Sequence, residues 1–482
     1  MTLKQIASLG TKLTQFLAMF ADCFHSQPGR NLLRVFVHGQ MSDLPHKTAE
    51  TIAMQSGTRP RTLQRFFESI KWDEEKVIDR CQVVVAEDHA HPEAIGVIDE
   101  SGIAKSGKHT VGVSRQWCGN KGKVDNSVVA VHTGYSAPGF QCLLDSRVYL
   151  PEEWANDPDR RKQNYVPEDV EFQTKPEMAS DQIDRALSNG IRVKAWTFDE
   201  LYGRDNKFLD RLEQQKQVFV GEIPVDFHGW LRKPRILRFP RKKQRGRAKA
   251  YPRLARRRPS CEVRNLVTYS PVFREQSWRR YRIKDTGTGP QVWEIKWAPF
   301  WRKGENGLPG RRHCLIVARN VLTGEMKYFL ANRVPGEPGV TLRWLLRTAF
   351  QRWSIERDFR IAKHELGMND FQVRGWQCVH RHYVVTQLSY LFCARIRQEY
   401  DTTEDGEPNN LTIEQVHRAV NTWLSAVDLP PAKRQERYEK ELQDQQYYQR
   451  RSQVARVSHT KTTILKLRAI GIDADCIKSC VT

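Results

Sequence analysis

The sequence predicts an α/β protein whose core is interrupted by a β-rich insertion and flanked by helical regions at both ends. Three observations lead to this fold class. Residues 86–225 alternate short β-like runs with Gly and polar turns, residues 226–338 add further alternating segments, and residues 339–400 carry the strongest helical pattern. At 482 residues the chain is longer than one ordinary core requires, so several domains are expected.

Residues 1–85 are predicted to be helical and to bind DNA. Two short helices are expected at residues 47–55 and 62–71, joined by the turn Ser56-Gly57-Thr58-Arg59-Pro60-Arg61. A helix-turn-helix of this shape would bring three cations close to a major groove: Arg59, Arg61 and Arg65. A plain helical hairpin without DNA contact is the alternative.

Residues 86–225 are predicted to form the first part of the core. The expected strands cover residues 94–98, 110–114, 127–132, 142–150, 193–198 and 218–220, with a helix at residues 181–188 before the last two. Consecutive strands, then a helix and another strand, are similar in order to a ribonuclease-H-like fold.

Residues 226–338 are predicted to be a basic, β-rich insertion. Between Arg232 and Arg258 there are 14 Lys or Arg residues and no Asp or Glu, and this tract includes Arg241, Lys242, Lys243 and Arg245. The formal charge of the whole chain is +22, which indicates a polyanionic partner. Binding of DNA phosphates by the tract would be salt-dependent and largely independent of sequence. A solvated loop or a localisation signal is the alternative.

The remaining elements complete the prediction. Strands are expected within the insertion at residues 292–297, 313–320 and 327–331. Residues 339–400 form the second part of the core, with helices at residues 341–366 and 379–399. Residues 401–482 are a linker followed by a helical tail.

Three acidic residues are candidates for catalysis. Asp99 and Asp199 each end an apolar run, and Glu356 lies within a predicted helix. Such carboxylates could converge on two divalent cations for phosphodiester cleavage or transfer. On that helix an apolar row faces the core, and an adjacent row at the rim contains Arg352, Glu356, Arg360 and Lys363. An exposed ladder of salt bridges would produce the same row.

These segments together resemble one group of enzymes. The spacing Arg352-x3-Glu356-x6-Lys363 matches the end of the Y-x2-R-x3-E-x6-K signature of the DDE transposases of cut-and-paste bacterial insertion sequences. Other similar segments are Val97 to Ile103, Gly112 to Gly119, Lys123 to Asn126, Val148 to Pro151 and Asp199 to Gly203. The chain departs from the signature at its first position, where Ala349 replaces the tyrosine.

The resemblance implies a function and a site. It implies a ribonuclease-H-like core in which Asp99, Asp199 and Glu356 bind two Mg²⁺ ions, for which Mn²⁺ can substitute, since hard oxygen ligands suit both metals. Arg352 and Lys363 would bind phosphate near the scissile bond. The implied partners are double-stranded DNA, as terminal inverted repeats and as target, and a second copy of the chain in a homodimer on DNA.

Other acidic and glycine-rich segments fit these roles less well. Alternation along a strand would turn Glu100 and Glu200 away from Asp99 and Asp199, and Glu365 should point away from the Glu356 rim. Gly102 to Lys108 fits part of a phosphate-binding P-loop, but His109 replaces the Ser or Thr that would reach Mg²⁺. A Gly-Lys hairpin that brings Lys105 and Lys108 near DNA is the preferred interpretation.

The composition also limits the compartment and leaves two other functions open. The cysteines lack C-x-x-C spacing and no apolar run approaches membrane-spanning length, so a cytoplasmic protein with reduced thiols, associated with the nucleoid when acting, is expected. A domesticated DNA-binding protein that no longer cleaves is one alternative to a transposase. A ribonuclease-H-like, structure-specific nuclease is the other.

Overall fold

A computed structural model describes residues 1–237, 251–255, 258–401, 410–477 and 479–480. The predicted DNA-binding residues Arg241, Lys242, Lys243 and Arg245 lie outside these ranges. Up to residue 194 the elements are α1 (Leu3–Ala18), α2 (Gln27–Gln40), α3 (Ala49–Gln55), α4 (Pro60–Glu68), α5 (Glu74–Asp88), β1 (Ile95–Ala104), β2 (Ser114–Cys118), β3 (Lys123–Ala137), β4 (Phe140–Val148), α6 (Glu152–Ala155), α7 (Pro158–Gln163) and α8 (Lys175–Ser188).

The rest of the chain continues the mixed α/β pattern. From residue 195 to 352 the elements are β5 (Ala195–Thr197), α9 (Glu200–Gly203), α10 (Asn206–Gln214), β6 (Val220–Glu222), β7 (His228–Trp230), β8 (Ile236–Leu237), β9 (Arg253–Leu254), β10 (Cys261–Glu262), α11 (Val263–Tyr269), α12 (Pro271–Arg274), β11 (Arg279–Thr286), β12 (Gly289–Arg302), β13 (His313–Asn320), β14 (Met326–Ala331) and α13 (Leu342–Gln351). The last helices are α14 (Trp353–His364), α15 (Trp376–Tyr400), α16 (Ile413–Ala426) and α17 (Pro431–Ala469).

The chain divides into two compact units. The first unit contains residues 1–194 and 353–451, and the second contains residues 195–352 and 452–482. Both units are therefore built from segments that are distant in sequence.

The centre of the first unit is the long strand β3. It pairs antiparallel with β1, β2 and β4, and in the β1 register Asp99 lies opposite His132. A register shift in the β3–β4 pairing makes Leu144 an extra residue, and such bulges leave backbone groups outside the ladder. Gln82 of α5 and Gln387 of α15 both donate to the Leu144 carbonyl, at 3.0 and 2.7 Å, so the bulge ties two helices to the sheet.

Helix α14 packs closely on this sheet. Gly134 permits the approach, because a Cβ atom there would lie 3.3 Å from Ile355 Cδ1. The hydroxyl of Tyr390 donates to the buried Asp358 at 2.6 Å, and Gln141 donates to Asp358 and to the Ser354 carbonyl. Burial raises the pKa of Asp358 to about 7. These contacts fix the helix that carries Glu356.

Helices α3 and α4 form the predicted helix pair near the N-terminus. Gly57 in their connection has φ +68°, a conformation that side-chain-bearing residues rarely adopt. Leu63, Phe66 and Phe67 of α4 are buried. Beyond α4, Arg381 of α15 donates to several main-chain carbonyls, those of Phe67, Ile70 and Trp72 among them, and it pairs with Glu74 at 3.0 Å.

The second unit is organised around an antiparallel sheet of the order β10-β7-β12-β13-β14-β6, with β11 on β12. Strand β5 runs parallel to the chain that enters β6, where Trp196 N donates to Val218 O at 2.8 Å. Arg302 of β12 is buried and donates to Asn206 of α10 at 2.6 Å. This ties α10 to the sheet.

The structure corrects two predicted elements. Residues 110–113 form a turn and strand β2 begins only at Ser114, so the strand predicted at residues 110–114 is wrong. The single helix predicted at residues 341–366 is two helices that meet at Arg352, whose own backbone angles stay helical at φ −48° and ψ −40°. Within the described ranges, no helix has the length and apolar character to span a membrane.

Candidate active site

Asp99 lies in β1, within the first unit, and is almost completely buried. Its exposed fraction is 8%, and its Oδ1 accepts a hydrogen bond of 2.9 Å from Glu100 N. The neighbouring His132 is buried between Ser101 and Ser146, at 2.9 and 2.8 Å, and burial lowers its pKa to about 3. An uncharged histidine beside Asp99 therefore supplies no positive charge, and other groups must compensate the carboxylate.

Glu100 follows Asp99 in β1 and is partly buried. Although strand alternation predicts that its side chain leaves β1 on the opposite side, one carboxylate oxygen of Glu100 lies within 4.8 Å of one of Asp99. Glu100 Oε1 accepts from Lys175 at 3.1 Å, while Oε2 is buried and has no hydrogen-bond partner among the described residues. Two adjacent carboxylates with an unsatisfied oxygen are a donor set that suits a hard divalent cation.

Lys363 of α14 also belongs to this site. Periodicity predicts it in one row with Glu356 at the rim of the helix, but the structure buries it: it is 7% exposed, and its Nζ donates to Gly102 O at 3.3 Å. Burial lowers the pKa of Lys363 to about 8, against the opposing influence of the Asp99 charge. Lys363 and Asp99 thus interact electrostatically inside the first unit.

Glu356 lies in the first turn of α14 and is exposed to solvent. A carboxylate there is favoured by the positive end of the helix dipole. Arg360, one turn later, is exposed and pairs with Glu414 of α16 at 3.1 Å. Glu356 and Lys363 are seven residues apart, which is two turns of one helix, so they share a side of α14 at different heights.

Asp199 lies in the second unit, two residues after the end of β5. It is half-buried, and it caps the short helix α9 by accepting a hydrogen bond of 3.0 Å from Leu201 N. Glu200 is the first residue of that helix, so the strand alternation predicted for it does not apply. Arg352 is the last residue of the first of this unit's two segments, and it is partly buried.

The two hairpin lysines occupy different environments. Lys105 donates to Phe371 O at 2.8 Å, and its Nζ lies 3.4 Å from the centroid of the Phe371 ring. Burial lowers its pKa to about 8. Lys108 is exposed. Residues 110–113 are a turn that leads into β2, so no helix follows to hold a phosphate as a P-loop would.

The three arginines predicted to contact DNA are exposed at the beginning and on the outer side of α4. Arg59 is the residue before the helix, and Arg61 pairs with Glu68 at 2.7 Å. Arg65 is exposed between the buried Leu63 and Phe66. The structure thus brings Asp99, Glu100 and Lys363 together in the first unit, whereas the convergence of Asp99, Asp199 and Glu356 on one metal pair stays a prediction.

A protein-family model matches residues 19–290, more than half of the chain, and describes a DDE superfamily endonuclease. The chain belongs to this family. The resemblance to DDE transposases is confirmed at that level. The matched range contains Asp99 and Asp199 but ends before Glu356. The assignment of Glu356 as the third carboxylate therefore rests on the sequence signature and on its position in α14.

Two known proteins show the extent of similarity. The probable transposase for insertion sequence element IS701 of Microchaete diplosiphon is 33% identical over 188 residues, which are 38% of this chain and 46% of the relative. The chain thus spans about half the length of that relative. A piggyBac transposase, solved by cryo-EM as a synaptic complex with hairpin DNA, matches at 10% identity and a TM-score of 0.40, over 86% of this chain and 76% of that one.

Proposed function

We propose that this protein is a transposase that cleaves DNA at transposon ends and transfers the freed strands into a target. The observation that carries the proposal is the buried carboxylate site around Asp99 in a chain that belongs to a family of DDE endonucleases. The net charge of +22 supports a DNA partner.

The proposed metal site consists of Asp99, Asp199 and Glu356, with Glu100 as an additional ligand. Carboxylate oxygens fit Mg²⁺ or Mn²⁺, and the unsatisfied Glu100 Oε2 would gain a partner. Two such ions would supply Lewis-acid chemistry that activates water or a 3′-hydroxyl and stabilises the departing 3′ oxygen.

The other residues have roles that need no metal. Lys363 holds a positive charge beside Asp99 and fixes α14 to β1 through Gly102 O. His132 is fully buried opposite Asp99 in the sheet and remains neutral. Arg352, Arg59, Arg65 and Lys108 are proposed to bind phosphates. Partners within the protein already hold Arg61, Lys105 and Arg360, which are proposed to assist only indirectly.

We further propose that the core is ribonuclease-H-like. The antiparallel β1, β3 and β4, the helix α8 that follows them in the chain, and the parallel β5 and β6 segments have the expected order of elements. A homodimer on DNA is proposed because strand transfer needs two ends held together. A cytoplasmic, nucleoid-associated location is proposed because the reaction takes place on DNA.

The deciding experiment measures Mg²⁺-dependent cleavage of DNA that carries the element's own terminal repeats. Wild type is compared with Glu356→Gln, and Glu365→Gln, in the turn just after α14, serves as the matched control. We expect nicks at the repeat ends from wild type and from the control, and none from Glu356→Gln.

Three other outcomes would redirect the proposal. DNA binding without cleavage by any of the three proteins would favour the domesticated DNA-binding protein. Cleavage of branched DNA or of RNA–DNA hybrids regardless of the terminal repeats would favour a structure-specific nuclease. Equal cleavage by Glu356→Gln and wild type would remove Glu356 from the site.

A further inference from the structure

The C-terminal part of helix α17 has an unusual distribution of charge. Residues 452–469, which belong to the second unit, contain four Lys or Arg residues and no Asp or Glu. Residues 433–444 of the same helix contain four of each. The excess of positive charge is therefore a property of one segment of the helix.

This segment is held at its end and exposed elsewhere. Near its end, Leu467 is fully buried in a cluster with Val292, and Thr463 Oγ1 donates to Thr288 O at 2.5 Å. Residues 452–459 are all exposed, although they include Val454 and Val457, with exposed fractions of 69% and 63%. A helix exposed on every side has a surface that remains available to a partner.

The cations are spread around the helix. Arg456, Lys461 and Lys466 follow one another at intervals of five residues, and at about 100° per residue each is turned by about 140° from the previous one. All three are exposed, and among the described residues no carboxylate lies within salt-bridge distance of them. Their charges are thus not compensated locally.

We propose that residues 452–469 bind the phosphate backbone of duplex DNA. A helix with its side chains is roughly 10–12 Å wide, and the major groove is about 12 Å wide. Cations on different sides of a helix in that groove can reach phosphates on both walls. The identity of the polyanion rests on the proposed function, whereas the charge and exposure of the segment do not.

Two other occupants fit the segment less well. A second copy of the same segment would place cations against cations with no acidic residue to pair with them. A membrane surface requires a helix with one apolar and one polar side, but here the cations surround the helix. Duplex DNA satisfies both the charge and its distribution.

The test uses the full chain in EDTA, which removes divalent metal and therefore cleavage. Fluorescence anisotropy measures the affinity for a 30-bp duplex without terminal repeats between 50 and 200 mM salt. The variant Arg456→Gln/Lys461→Gln/Lys466→Gln is compared with Lys433→Gln/Arg437→Gln/Lys440→Gln, which removes the same charge from the balanced part of α17. Circular dichroism verifies that both variants fold.

We expect the first variant to bind more weakly and to depend less on salt. The affinity of wild type should fall as salt rises from 50 to 200 mM. With a slope of about 0.9 per phosphate contact, loss of three contacts would make this fall roughly 40-fold smaller in the first variant. The control should resemble wild type. In wild type, DNA should also slow amide hydrogen exchange in residues 452–459, which tests the surface even if the variant fails to fold.

Equal slopes for both variants and wild type, or unchanged exchange in residues 452–459, would overturn the inference. So would a change confined to the oligomeric state or to binding of anionic lipid vesicles. These results are independent of catalysis: failure here leaves the cleavage test intact, and loss of cleavage activity leaves this binding measurement interpretable.

Discussion

Charged side chains near Asp99 and those on helix α4 belong to the same unit but have opposite environments. Around Asp99, Lys363 is buried and bonded within the protein, and Lys175 pairs with Glu100. On α4, Arg59 and Arg65 are exposed. Buried charges set the electrostatics and the rigidity of a site, whereas exposed cations are available for phosphates and are weakened by salt. Substitutions in the two regions should therefore have different measurable consequences.

The largest effect is expected at Asp99 itself. Asp99→Asn keeps the size of the side chain but removes the negative charge that a divalent cation needs, so Mg²⁺-dependent cleavage should fall by more than about 100-fold. DNA affinity, measured in EDTA, should stay at the wild-type value. The control is Asp125→Asn on β3, where the acid pairs with Lys121 at 2.7 Å. An Asp99→Asn protein with near-normal cleavage would show that the buried carboxylate is structural.

The second-largest effect is expected at Arg381, which is buried, unlike the exposed arginines of α4. Arg381→Met leaves Glu74 and the carbonyls of Ile70 and Trp72 without their donor, and we expect the free energy of unfolding to fall by about 3 kcal/mol. Urea denaturation measures this change. Arg65→Met on the exposed side of α4 serves as the control and should alter stability by less than about 0.5 kcal/mol. A similar loss in both variants would contradict the structural role assigned to Arg381.

The sequence could predict those features that depend on neighbouring residues in the chain. Strand β13 occupies residues 313–320 as predicted, because an apolar run between turns defines a buried strand locally. Helical periodicity also identified the buried side of α14, where Ile355 and Ala362 are fully buried. These features depend only on neighbours in the chain.

Features that depend on distant segments were missed. Periodicity placed Lys363 in one row with Glu356, but β1 covers the helix at the height of Lys363 and not at that of Glu356. Strand alternation fixes the directions of Cα–Cβ bonds, yet the longer side chain of Glu100 brings an oxygen close to Asp99. A buried lysine and an additional carboxylate could have been found only with knowledge of the packing.

A smaller effect concerns the pH dependence of stability at the two hairpin lysines. Because burial lowers the folded-state pKa of Lys105 from 10.5 to about 8, the unfolded chain binds more protons between these pH values. The contribution of Lys105 to stability should therefore rise with pH across this window, by an amount of the order of 2 kcal/mol. Chemical denaturation at pH 7 and pH 10 measures the difference between wild type and Lys105→Met. That difference should grow with pH, whereas Lys108→Met should show none; a flat difference for Lys105→Met would mean that the lysine is solvated.

The smallest effect is expected for a single exposed arginine on α4. Arg65→Gln removes one charge without disturbing the buried Leu63 and Phe66 beside it, so stability should not change. If Arg65 contacts one phosphate, the slope of log affinity against log salt concentration should decrease in magnitude by about 0.9.

Anisotropy titrations in EDTA also distinguish two kinds of contact by Arg65. They compare a duplex that carries the terminal repeat with one that does not. An equal loss with both duplexes indicates a backbone contact, and a loss confined to the terminal repeat indicates that α4 reads bases in the groove. An unchanged slope with both would assign helices α3 and α4 to the alternative of a plain helical hairpin.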